Sequence, residues 1–171
     1  TIIFAGNLGR FQALEKVVDA MALLKNRKDI KLILVGDGSA KADLAFKIKK
    51  TNANVYIIDR QPVQIVKEMI KKADFGLVSL DSNVYKYGYP GKIMTYLEQG
   101  KPIIAVLEKE SEIVKLMEHE NYGFCIPTSE PKKISRYLIK LLENDLWKLK
   151  MNSNAISAYE KYFLKDKILS K

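Results

Sequence analysis

The sequence predicts an α/β fold, a doubly wound parallel sheet of about six strands with helices on both faces. Three observations lead there. Short apolar runs such as Thr1 to Ala5 (TIIFA) and Lys31 to Val35 (KLILV) have the length and β-branched content of strands buried on both sides. Between such runs lie segments with apolar residues at helical spacing, as in Leu14, Val17, Val18, Met21 and Leu24. Glycine turns at Gly6 to Gly9, Gly36 to Gly38 and Gly88 to Gly91 follow strands and lead into helices. In a sheet of this kind ligands bind beyond the carboxyl ends of the strands, where strand order reverses, so the three turns are expected to face one cleft.

Taken in order, TIIFA is the first strand, closed by Gly6, and a helix follows from about Arg10 to Lys25. KLILV is stopped by Gly36-Asp37-Gly38, after which Ala42 to Lys50 reads as a second helix. Asn54 to Ile58 (NVYII) is a third strand, and Pro62 to Lys72 a third helix with proline near its first turn. Asp74 to Leu80 (DFGLVSL) is the fourth strand. A loop from Asp81 to Tyr89, rich in tyrosine, leads to a short helix from Gly91 to Gln99 and a strand from Pro102 to Val106. Glu110 to Glu118 is helical, Gly123 to Ile126 (GFCI) a sixth strand, and Pro131 to Glu143 another helix. Leu146 to Tyr162 reads as one or two terminal helices, so residues 1–171 form a single domain with trailing helices from 146.

Composition narrows the class. With 171 residues, 47% hydrophobic and 29% charged, the chain suits one globular domain with a sizeable core. One cysteine, Cys125, excludes an internal disulfide framework and fits a reducing compartment. The chain begins at Thr1 and enters a strand at once, which reads as an excised piece of a longer protein. No apolar run approaches the roughly 20 residues that span a bilayer. The net charge of +9 admits nucleic acid, an anionic membrane face or a phosphorylated ligand as partner. Most lysines, however, are spread along helix faces, as in KIKK at 47–50, where they read as solvated.

The strongest local signal is Pro90-Gly91-Lys92. A helix start offers free backbone N–H groups and a positive dipole end, and a lysine beside it suits a phosphate. Gly6-Asn7-Leu8-Gly9 is a weak fingerprint, since GxxG lacks a third glycine and many strand-to-helix turns need glycine only for geometry. Arg10 next to it binds phosphate or points into solvent. Asp37 or Ser39 can simply cap the following helix. Tyr85, Tyr87 and Tyr89 either stack on a sugar or base or pack their loop down. His119, beside Glu118 and Glu120, is a poor catalytic base, and Cys125 reads as a small buried residue. A lone cysteine and a lone histidine make no metal site.

Five stretches together carry a resemblance: FAGNLGRFQALEKVVDAMALL, KLILVGDGSAKADL, NVYIIDRQP with VQIVKEMIKKADFGLVSL, YPGKIMTYLEQGKPIIAV, and NYGFCIPTSEPKKISRYLIKLL. In order and spacing they resemble the C-terminal, donor-binding half of GT-B glycosyltransferases, in particular the retaining group 1 (family 4) enzymes that build bacterial surface polysaccharides. The resemblance implies one of two facing Rossmann-like halves, the acceptor binding mainly to an N-terminal domain outside this sequence. A nucleoside-diphosphate sugar would place its diphosphate against Gly9 and Arg10 and the helix start at Tyr89, Pro90, Gly91 and Lys92, with its base near Ile58 to Arg60. Arg10 and Lys92 would be the catalytic pair, stabilising charge on the departing diphosphate, with no metal or other cofactor. A cytoplasmic enzyme is implied, with contact at the inner, anionic face of the cell membrane and no role for nucleic acid.

Three positions, in two departures, differ from the family pattern. Many relatives carry two glutamates, eight positions apart, where this chain has Tyr87 and Thr95. The second of them bonds the ribose hydroxyls, so Thr95 would take that contact, or a neighbour such as Glu98. Gln12 stands where a basic residue often follows Arg10. Rival readings are a nucleotide-sugar 2-epimerase half, which would need acid and base residues not evident here, and a non-catalytic nucleotide-binding or regulatory Rossmann-like domain.

Overall fold

The computed structural model describes residues 1–81, 91–107, 111–127 and 129–164. Its strands β1 (Ile2–Ala5), β2 (Leu32–Val35), β3 (Val55–Ile58), β4 (Phe75–Ser79), β5 (Ile103–Val106) and β6 (Gly123–Ile126) form one sheet. The order is β3-β2-β1-β4-β5-β6, and every pairing is parallel. The expected doubly wound sheet is therefore present. Parallel neighbours need crossovers, and the helices that make them cover both faces.

Alternation along each strand divides the core in two. Ile2, Phe4, Leu32, Leu34, Leu77 and Ile104 face α1 (Leu14–Leu23), α2 (Lys41–Thr51) and α6 (Pro131–Leu142). Ile3, Val35, Val78, Ile103 and Ala105 face α3 (Val63–Lys72), α4 (Lys92–Glu98), α5 (Glu112–Glu120) and α7 (Asp145–Tyr159). A π-helical turn, Glu160–Leu164, continues α7.

Helix boundaries follow local chemistry. Pro131 opens α6, where a missing N–H costs nothing. The helix expected from Glu110 runs instead from Glu112 to Glu120, because the Ser111 side chain accepts from Ile113 N–H and caps it there. Its end is the left-handed Asn121, with φ of 54°. The helix expected from Arg10 is also interrupted: Arg10–Gln12 is a 3-10 turn, and Ala13, with φ of 47°, separates it from α1.

Candidate functional site

Strand order reverses between β1 and β4, and there the sheet opens. β1 keeps register with β2 through Ala5↔Val35, but with β4 only at Ile2↔Phe75 and Ile3↔Gly76. The opening is held by Tyr96 of α4. Its hydroxyl accepts from Ala5 N–H at 3.0 Å and donates to the Leu77 carbonyl at 3.2 Å, replacing ladder bonds that the parted strands no longer make. Full burial pushes the phenol pKa well up, so it stays protonated and keeps its donor. The ring needs room that only glycine provides, since a Cβ on Gly76 would lie 2.4 Å from it.

Above this opening lies a cavity of about 530 Å³, a size that suits a small-molecule ligand. Val35, Val63, Val66 and Ile70 give it an apolar wall, and Asn7, Asp37, Arg60, Gln61, Lys92 and Thr95 contribute polar groups. Two glycine turns meet at its floor. Gly36 has φ of +148°, and a Cβ there would sit 1.9 Å from the Gly6 carbonyl oxygen, so the two chains approach as backbone alone. Asp37 accepts from Gly38 N–H at 2.9 Å and pairs with Lys41 at 3.5 Å, and these partners, the N–H first, hold its carboxyl below the usual carboxylate range.

Lys92 is the principal cation of the cavity. It starts on α4, whose neighbours Ile93, Tyr96 and Leu97 belong to one face of the sheet. Its ammonium nonetheless lies 3.8 Å from the ring centroid of Phe4, which belongs to the other face. The side chain thus threads the opening beside Tyr96 and ends near Gly6, where a Cβ would be 3.5 Å from Cε and 3.7 Å from Nζ. Nζ donates to Gln12 Oε1 at 2.6 Å. Among the described residues no carboxylate pairs with it, and removal from water lowers its pKa from 10.5 to about 8. Desolvation of a cation without a counter-charge is costly, and a bound anion would offset that cost.

A family model described as "Glycosyl transferases group 1" matches residues 1–144. The chain belongs to the group 1 glycosyl transferases. It is similar to the probable glycosyltransferase WbjE of Pseudomonas aeruginosa, 30% identical over 145 residues that cover 84% of this chain and 36% of that protein. It therefore spans about a third of that relative's length. The fold matches the C-terminal domain of the group 1 glycosyl transferase LpcC of Francisella tularensis, with TM-score 0.78 and 13% identity over 95% of this chain and 85% of that one. It also matches HepE of Anabaena, solved with UDP and glucose, with TM-score 0.78 and 18% identity over 99% of this chain and 48% of that one.

Within this glycosyl transferase domain the expected site residues are not all in one place. Lys92, Thr95 and Arg60 line the cavity. Arg10 is exposed on the 3-10 turn outside that lining, and among the described residues its guanidinium makes no hydrogen bond or ion pair. Gly9 is buried in the same turn and accepts from Gln12 N–H at 3.1 Å. Ile58 also lies off the cavity wall, its carbonyl accepting from Gly36 N–H at 3.0 Å. Gly91 is exposed in ordinary right-handed backbone, φ −54°, with open space where a Cβ would go. Tyr87, Tyr89 and Pro90 lie outside the described residues. Glu98 points away, forming an ion pair with Lys67 of α3 at 2.8 Å, so Thr95 remains the α4 side chain aimed at the cavity alongside Lys92 and Tyr96.

The sequence reading missed Tyr96 and the apolar wall from α3. Tyrosine inside a short helix signals a hydroxyl that must find a partner when buried, and with Gly76 on the facing strand that signal was available. Among the described residues no group of His, Cys, Asp and Glu is placed to hold a metal, and no helix is long and apolar enough to cross a membrane.

Proposed function

We propose that this chain is the donor-binding half of a glycosyltransferase that takes a sugar from a nucleoside diphosphate and passes it to a glycan or lipid-linked acceptor in surface polysaccharide synthesis. The observation that carries the reading is the Lys92 ammonium, desolvated, without a carboxylate partner among the described residues, and aimed at the Gly6 turn from within a cavity at the switch point. The nucleoside would lie on the Val63, Val66 and Ile70 wall near Arg60, with Thr95 toward the ribose. The diphosphate would sit between Lys92 and the first glycine turn, with Arg10 reaching it from the rim. Fixed cations facing the leaving diphosphate stabilise the charge that grows on it, which lowers the barrier without reorganisation during the step. That role needs no metal or other cofactor, and EDTA should leave it unchanged.

The acceptor would come to the cleft with a second domain, as the third-of-length match to WbjE supports. Contact with an anionic membrane surface would follow from the +9 charge. Calorimetric titration with UDP, GDP and ADP tests the donor site. Selective binding of one nucleotide, weakened in Lys92→Ala and Arg10→Ala, is expected. Failure of all three to bind at millimolar concentration would overturn the reading.

A further inference from the structure

Gln12 precedes Lys92 by 80 residues, yet its Oε1 accepts from Nζ at 2.6 Å. The side chain is aimed by a specific local structure. Gln12 N–H donates to Gly9 O at 3.1 Å and Ala13 N–H to Arg10 O at 3.2 Å, closing the 3-10 turn. The turn ends on Ala13 with φ of 47°, a conformation that costs a non-glycine residue roughly 1 kcal/mol or more. Strain of this kind persists where the surrounding structure holds a side chain in a required direction.

The chemistry of the acceptor matters as much as its position. A carboxamide oxygen accepts a hydrogen bond from an ammonium without neutralising it, whereas a carboxylate would do both. Among the described residues the other group on the ammonium, the Phe4 ring, is also uncharged. The charged groups sharing the cavity wall are Asp37, after β2 and already engaged with Gly38 N–H and Lys41, and Arg60, after β3.

We propose that Gln12 is a positioning residue for the diphosphate, a neutral acceptor that aims the Lys92 ammonium at the Gly6 turn and leaves its charge for the ligand. This rests on the nucleotide reading of the cavity. Hydrogen-bonded among the described residues to a neutral acceptor, and with burial lowering its pKa to about 8, Lys92 gives up its proton as pH rises through that value, and a bound diphosphate restores it. Binding is therefore coupled to proton uptake, and affinity falls as pH rises through that range.

The test is calorimetric titration with UDP from about pH 7 to 9.5 on the wild type, Gln12→Glu and Gln12→Met, with lysine side-chain NMR on the same proteins. Gln12→Glu keeps size and hydrogen bond but cancels the charge. It is expected to raise the Lys92 titration point toward 10, weaken UDP about tenfold or more near pH 7.5 and remove the loss of affinity above pH 8. Gln12→Met removes the acceptor, and is expected to weaken UDP by a smaller factor while the pH dependence remains. If the wild type binds UDP and Gln12→Glu matches it in affinity and pH profile, Gln12 is only a structural peg and the proposal fails. If the wild type binds no nucleotide, the site reading itself fails.

Discussion

Replacing Lys92 with methionine should stabilise the ligand-free fold while removing its ligand. Methionine keeps the length and apolar stem but has no charge to desolvate. Lowering the lysine pKa from 10.5 to about 8 corresponds to about 3 kcal/mol lost on folding. The Gln12 bond returns about 1 kcal/mol and the Phe4 ring about 0.5–1 kcal/mol. Lys92→Met is thus expected to gain roughly 1 kcal/mol at pH 7, or about 2–4 °C in Tm. The sign with pH is fixed. Because the folded pKa is the lower one, the cost is fully present below about pH 8 and fades as pH rises toward 10.5. Urea unfolding at a series of pH values should therefore show the gain shrinking in alkali, while UDP titration shows binding lost. A variant less stable than wild type at pH 7, or a difference independent of pH, would mean that Lys92 is a structural cation and would refute the reasoning.

Tyr96→Phe keeps the ring but strands Ala5 N–H and the Leu77 carbonyl, so it should cost about 2–3 kcal/mol in urea unfolding. Gly36→Ala forces a Cβ to 1.9 Å from Gly6 O and is expected to abolish the folded state or the cavity. A Cβ at Gly91 would meet nothing within 4 Å, so Gly91→Ser should change Tm-derived stability by no more than about 0.5 kcal/mol. Glu120 accepts from Lys161 at 2.7 Å and from the Tyr162 hydroxyl, and these bonds, Lys161 first, depress its pKa to about 2. This contribution is present above about pH 4.5 and lost as pH falls toward 2. Glu120→Gln should speed amide exchange in Glu160–Leu164 at neutral pH and leave that segment insensitive to acid over the same window.

The architecture was legible because its determinants are local. Runs such as KLILV and the spacing of Leu14, Val17, Val18 and Met21 state on which faces a segment is buried, and the six strands and their intervening helices followed within a few residues. Boundaries moved where one side chain decided them, as Ser111 did for α5. The conspicuous cation at position 92 was legible too, since a lysine after Pro-Gly at a helix start invites an anion by itself.

The tertiary structure alone decided what surrounds that lysine. No pattern near position 92 signals that its side chain passes between two parted strands, that Tyr96 holds them apart against Gly76, or that Gln12 accepts its hydrogen bond from 80 residues away. Glu98 looked as available as Thr95 until α3 brought Lys67 to it. Periodicity records which face of an element is buried, whereas register, crossing and partner choice arise only when distant elements pack. The fold was therefore written along the chain, and the electrostatic state of Lys92 was set by the packing of segments far apart in it.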